Sequence, residues 1–295
     1  MDKKVSEELF LPPRSFAGIS PQAVPLDKAK VVILPVPYDA TVEYKSGARE
    51  GPQAIIDASE YLELYDHELG REISEAGIHT LQEVQPLLSD PEFMAGRIYK
   101  IAKDLLARGK FVVMLGGEHS LTLGMVKALH ERHSKLSVLQ LDAHTDLRDE
   151  YLGTKYGNAS VMRRVREICP VVHAGIRSFS LEEHRFMQEK GIEPFYAEDS
   201  GKPDFAARVV SKLSSQVYVT IDLDVLDPSI MPAVGTPEPG GLSWQQVLEL
   251  LRAVSRRRRI VGFDVMELCP REGPTSCAYL AAKLAYKLIG YSTSS

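Results

Sequence analysis

An α/β fold built on a parallel sheet with both faces covered is what this chain of 295 residues predicts. Three observations carry that prediction. Short apolar runs alternate with helix-period segments from about residue 31 to residue 288. The runs are almost continuously apolar, as strands buried on both faces must be, rather than alternating polar with apolar. Polar, titratable residues stand just after the runs, where the functional crevice of an open parallel sheet lies.

Residues 1 to about 28 are polar and carry Pro12, Pro13, Pro21 and Pro25, the pattern of an N-terminal arm lying against a domain rather than inside its sheet. Val31 to Pro35 is the first strand, an apolar, β-branched run ended by proline. Gly47 to Pro52 sets up a turn, and Pro52 suits the start of a helix over Gln53 to Ser59. Asp90 before Pro91 opens a second helix with apolar positions at Phe93, Ile98, Ile101, Leu105 and Leu106, and Gly109 lies past its end.

From there strand and helix alternate. Phe111 to Leu115, Leu136 to Leu141, Val171 to Ala174, Glu193 to Tyr196, Val217 to Ile221 and Ile260 to Val265 read as strands. Leu121 to Leu129, Val161 to Ile168, Glu182 to Lys190 and Phe205 to Leu213 read as helices. Ser243 with Gln246 forms a capping box for a further helix, and Ser276 to Leu288 closes the pattern. No internal repeat and no linker divides the chain, so residues 1–295 read as a single domain.

A hydrophobic content of 44% suffices for a large core. No run of about 18 uninterrupted apolar residues occurs, and MDKKVSEELF lacks the apolar centre of a secretory signal, so the expectation is a cytoplasmic protein with no membrane partner. A formal net charge of -5 leaves no basic footprint for nucleic acid. The one basic run, Arg256 to Arg259, follows an amphipathic segment and reads as the C-terminus of a helix, where cations meet the negative end of the macrodipole. Cys169, Cys269 and Cys277 match no zinc spacing and read as reduced packing thiols.

The chemistry concentrates after four of the strands. LQLDAHTDLRD, residues 139–149, carries Asp142, His144 and Asp146 at period two, which on an extended strand places all three on one face. GGEHS, residues 116–120, follows the second buried run and brings His119; Asp222 and Asp224 follow another, again at period two; Asp264 and Glu267 follow the last. The set His119, Asp142, His144, Asp146, Asp222 and Asp224 holds four carboxylates, two imidazoles and no thiolate, which favours Mn²⁺ and then Co²⁺ or Fe²⁺. Six donors exceed what one catalytic ion with an open position uses, whereas two ions about 3.5 to 4 Å apart, bridged by carboxylate and hydroxide, use them all. Four carboxylates and a hydroxide offset two divalent charges to within about one unit, so a cationic substrate is not repelled. His173, on a strand, reads as a core histidine, and His184, on a charged helix, as a solvated one.

GGEHS at 116–120, DAHTD at 142–146, DLDVLDPS at 222–229 and DVMEL at 264–268 together resemble the four signature blocks of the ureohydrolases, the arginase and agmatinase family, and the resemblance runs from about Val31 to Leu288. It implies a three-layer αβα sandwich around a central parallel sheet of about eight strands, and a homotrimer or homohexamer. It also implies two Mn²⁺ per subunit and hydrolysis of a guanidino substrate to urea and an amine. By motif, the six residues above are metal ligands, a bridging hydroxide attacks the guanidinium carbon with Asp146 orienting it, and Glu267 pairs with the planar guanidinium.

The block Thr236 to Leu242, with Glu238-Pro239, is similar to the one usual in agmatinases, which points to agmatine as substrate and putrescine as product. Guanidinobutyrate, aminopropylagmatine and arginine are the alternatives. One position departs from the family pattern, for Asn158 stands where a proton-shuttling histidine is usual. Asparagine has no proton to give near neutral pH, which implies a slower enzyme, another proton route or an altered substrate, and leaves a metal-binding but catalytically silent relative as a second class of reading. The single-zinc deacetylases share the fold but use fewer ligands.

Overall fold

A computed structural model of the chain describes residues 14–87 and 90–293. Ten strands and eight α-helices are described. The strands are β1 (Val31–Val36), β2 (Tyr65–Asp66), β3 (Arg71–Glu72), β4 (Ile78–Thr80), β5 (Phe111–Gly116), β6 (Leu136–Leu141), β7 (Val171–Ile176), β8 (Phe195–Tyr196), β9 (Gln216–Asp222) and β10 (Arg259–Met266). The helices are α1 (Gly51–Ser59), α2 (Pro91–Ala107), α3 (Thr122–His130), α4 (Val161–Arg166), α5 (Leu181–Lys190), α6 (Phe205–Lys212), α7 (Trp244–Arg257) and α8 (Ser276–Thr293). Eight strands form one sheet in the order β4-β1-β5-β10-β9-β6-β7-β8, and β2 and β3 make a separate hairpin. Each of the large sheet's pairings is parallel.

Period two decides which layer each strand residue joins. Val31, Ile33, Val113 and Leu115 pack with Ile55 of α1, Val209 of α6, Leu250 of α7 and Leu284 of α8. Their neighbours Val32, Leu34, Val112 and Met114 pack with Ile98 of α2, Met125 of α3, Val165 of α4 and Met187 of α5. The result is the expected three-layer α/β sandwich around an eight-stranded parallel sheet.

Strand order is what assembles a site. The chain leaves β5 and crosses to β6, three positions away, and β9 and β10 later fill the gap. The four strands followed by the polar blocks are therefore contiguous, β5-β10-β9-β6. They also end at one level, since Val265 pairs with Leu115 and with Ile221, and Ile221 with Leu141.

Several expectations are refined. In α2, Phe93 is 66% exposed, and the buried stripe is Met94, Ala95, Ile98, Ala102, Leu105 and Leu106. The short edge strand β4 and the β2–β3 hairpin had no clear apolar signal. Arg256 and Arg257 end α7 as expected, and Arg258 turns back to donate to the carbonyls of Val210 (2.9 Å) and Leu213 (3.0 Å) at the end of α6. All three cysteines are free and buried.

Of the N-terminal arm, Pro12 and Pro13 lie outside the described residues. Residues 14–28 join no strand, and the amides of Phe16 and Ala17 reach Thr80 (3.0 Å) and Ser59 (2.8 Å). Among the described residues no helix is long and apolar enough to cross a membrane.

The tightest backbone approach lies at the start of the GGEHS block. The Gly117 amide donates to Val36 (2.9 Å), its carbonyl accepts from the Glu267 amide (2.8 Å), and the Glu118 amide donates to Tyr38 (2.8 Å). A Cβ on Gly117 would lie 1.8 Å from the Tyr38 carbonyl oxygen. Gly117→Ala is therefore expected to cost at least about 1–3 kcal/mol, the usual range for overpacking, with a lower denaturant midpoint. An unchanged midpoint would contradict this packing.

Candidate active site

His119 leaves the end of β5 on a 3₁₀ turn, His119–Leu121, that leads into α3. Its ring is buried, and Nε2 meets the Thr220 hydroxyl at 2.8 Å. Nδ1 faces Asp142 Oδ2 (3.1 Å), Asp146 Oδ2 (3.1 Å) and Asp222 Oδ2 (3.5 Å), yet forms no hydrogen bond of acceptable geometry. An orphaned ring nitrogen whose partner nitrogen is held by a hydroxyl, and which looks at three carboxylate oxygens, is the arrangement of a metal ligand.

Asp142, His144 and Asp146 do come together, but not by the strand geometry that period two suggests. β6 stops at Leu141, and the following residues form a loop in which Asp146 takes φ 54°, a left-handed conformation uncommon outside glycine. The loop is held by its own groups. The His144 amide donates to Asp142 Oδ1 (2.6 Å), and Gln140 donates from Nε2 to Asp142 Oδ2 (2.7 Å) and to the His144 carbonyl (3.2 Å). Behind Gln140, its Oε1 accepts from Nδ1 of the buried His173. His173 is thus a core histidine as expected, but one that fixes the orientation of Gln140 and through it Asp142. His184 is half-buried and stacks on Phe179, with ring centroids 6.1 Å apart.

Asp222 is the last residue of β9, and its Oδ1 caps the turn by accepting from the Asp224 amide (3.0 Å). Asp224 then reaches the DAHTD loop, accepting from the Ala143 amide (2.9 Å) and lying 2.9 Å from His144 Nδ1. The Arg177 guanidinium ties this turn to the agmatinase-like block through the carbonyls of Asp224 (2.6 Å) and Glu238 (2.7 Å). Two groups of side chains could each hold an ion, His119 with Asp142 and Asp146, and Asp142 with His144 and Asp224, so Asp142 is shared. The donor set fits two hard divalent ions.

Glu267 follows β10 with φ 67°, and its Oε1 accepts from the His119 amide (2.7 Å). Asp264, by contrast, stays inside β10 below the rim, buried, accepting from Tyr218 (2.7 Å) and Thr122 (2.8 Å). Glu118, to which the sequence assigned no role, is fully buried and clamps the loop after β1 to its own block. It accepts from the Thr41 amide (2.6 Å), the Thr41 hydroxyl (2.7 Å) and the Ser120 hydroxyl. Asn158 joins the same knot, its Oδ1 accepting from the Ser120 amide (3.1 Å) and its own amide donating to Thr41 (3.2 Å). His119, His144, Asp146, Asn158, Asp222, Asp224 and Glu267 line one cavity of about 300 Å³.

Burial pushes the carboxyls of Asp146, Asp222, Asp224 and Glu267 up, and repulsion among neighbouring carboxylates pushes them further. Asp142 goes the other way, because the His119 and His144 imidazoles outweigh its burial. An acid whose folded pKa is raised contributes stability below its ordinary value, near 4, and loses it as pH rises through the folded value. Metal-free protein is therefore expected to lose thermal stability as pH rises from about 4 through about 7, the value to which Asp146 is pushed, and the stabilisation by Mn²⁺ to grow over the same window as protons cease to compete. Thermal melts in chelator and in Mn²⁺ measure both; a metal effect independent of pH would contradict the assignment.

Comparison with known proteins agrees with this geometry. The model of the arginase family matches residues 29–290. N(1)-aminopropylagmatine ureohydrolase of Synechocystis is 39% identical over 272 residues, covering 89% of each chain. Agmatinase of Pyrococcus horikoshii is 38% identical over 272 residues, covering 91% of this chain and 94% of its own. The crystal structure of agmatine ureohydrolase of Thermoplasma volcanium superposes with a TM-score of 0.84 at 33% identity, covering 90% of this chain and 91% of that one. By sequence, by fold and by the donors gathered at its strand ends, the chain belongs to the arginase family.

Proposed function

We propose that this arginase-family amidinohydrolase converts a decarboxylated guanidino compound, agmatine or N(1)-aminopropylagmatine, to urea and the corresponding amine, with two Mn²⁺ as its metal. The observation that carries the reading is the convergence on one cavity of His119, His144, Asp146, Asp222, Asp224 and Glu267, with Asp142 shared between the two ligand groups. Ligand roles go to His119, Asp142, Asp146 and Asp222 around one ion, and to His144 and Asp224 with the shared carboxylates around the other. When bound, the ions supply hydroxide from water at neutral pH and offset the carboxylate charge. Relatives named for agmatine and for aminopropylagmatine are about equally similar to this chain, so both substrates stand. The Glu238 block supports both over arginine.

The protein's own residues divide the remaining work. Glu267 keeps one oxygen on the His119 amide and presents the other to the guanidinium, a planar cation suited to carboxylate recognition. Asp146, held in its left-handed backbone, orients the attacking water. Asn158 lines the cavity but offers a proton to nothing; its carbonyl oxygen is engaged by Ser120, leaving its NH₂ as a hydrogen-bond donor. The departing amine then takes its proton from solvent, which favours a slow enzyme over a silent relative, since the full donor set is retained.

Urea release with Mn²⁺ from a panel of guanidino compounds tests the reading. Agmatine and aminopropylagmatine are expected to turn over, and Asp224→Ala to bring urea formation to background. No urea from any guanidino compound would overturn it. Asn158→His is expected to raise turnover, toward the factor of about 10² to 10⁴ that a positioned acid contributes. Unchanged turnover would mean that protonation of the amine is not limiting.

A further inference from the structure

We propose that Glu43 is a specificity-determining residue that recognises a second cationic group on the substrate, at the end remote from the guanidinium. The inference rests on the ureohydrolase reading and deepens it, for it restricts the substrate to guanidines with an amine tail.

Residues 42–45 form one wall of the active-site cavity, and Glu43 lines it together with Glu267 and the candidate ligands. Every other carboxylate of that cavity is engaged. Asp146, Asp222 and Asp224 face the imidazoles, and Glu267 accepts from the His119 amide. Glu183 is saturated by Thr145 (2.6 Å), the Leu147 amide (2.9 Å), and the Ser180 amide and hydroxyl (both 2.8 Å). Among the described residues, Glu43 alone of these acids has neither a hydrogen bond nor an ion pair.

The neighbouring cations are engaged as well. Lys45 pairs with Glu272, while Arg148 lies over the Tyr151 ring at 4.5 Å and 4.0 Å from Glu183. Glu43 remains accessible to solvent, yet enough protein surrounds it that desolvation pushes its carboxyl up, with the Arg148 cation acting against that rise. A partly desolvated, unpaired carboxylate gains most from an incoming cation.

The loop is also preorganised for recognition. On one side of Glu43, Thr41 is held by the buried Glu118. On the other, the Gly47 amide (2.9 Å) and Arg49 donate back to Asp39, closing the loop on itself. Gly47 takes φ 131°, open only to glycine at little cost, to make that closure. Little ordering is then left to be done when a ligand binds.

The test compares substrates that differ only at the remote end. Steady-state kcat/KM is measured with Mn²⁺-loaded wild type and Glu43→Gln on agmatine, on n-butylguanidine, whose tail is neutral, and on 4-guanidinobutyrate, whose tail is anionic. Glu43→Gln is expected to lower kcat/KM for agmatine about three- to tenfold, the range for a partly exposed charged contact, through KM. n-Butylguanidine is expected to be unaffected and guanidinobutyrate to gain; Glu43→Asp should recover part of the loss. Equal losses on agmatine and n-butylguanidine, or no loss on agmatine, would overturn the assignment of Glu43 while leaving the ureohydrolase reading intact. Urea from none of the three with the wild type would overturn that reading and this one with it.

Discussion

Asp142 lies between two imidazoles at the end of β6, among Asp146, Asp222 and Asp224. Four carboxylates this close and this buried repel one another and have lost most of their hydration, a cost of several kcal/mol per uncompensated charge. Two imidazoles cannot balance them. The arrangement makes physical sense around divalent cations, and much of the structure exists to hold it. The sheet order brings β5, β10, β9 and β6 together, the left-handed backbone of Asp146 and Glu267 aims their side chains, and Gln140 and Thr220 hold Asp142 and His119 from behind.

A second level of support lies outside the ligands. Glu118, Thr41, Ser120 and Asn158 form a polar knot that joins the loop after β1, the start of α3 and the loop before α4. Arg177 does the same on the other side, bridging Asp224 and Glu238. Such clamps fix the walls of the cavity rather than its chemistry. They also give Asn158 a structural part, for its carbonyl oxygen accepts from the Ser120 backbone amide.

Much of this was legible in the sequence. Apolar runs and a capping box located the long strands and helices, because buried strands and capped helices leave local signals; the box at Ser243 forms, and the structure adds one at Ser180 that the sequence reading did not use. Six donors and Glu267 could be read from their places after the strands. What could not be read depends on long-range geometry. Period two picked out residues at DAHTD that do come together, but a loop and not a strand converges them. Asp264 looked like its neighbours at the rim but belongs to the strand. The partners of Glu118 lie up to 77 residues away, and Glu43 has meaning only once the other acids of the cavity are seen to be engaged.

The proposed chemistry requires two ions that share Asp142. Elemental analysis of the purified, Mn²⁺-equilibrated protein tests it most directly. Two manganese ions per chain are expected in the wild type, with a loss of tight binding in Asp142→Asn, whose neutral amide would remove the shared charge. One ion per chain in the wild type, as a mononuclear centre would hold, would contradict it.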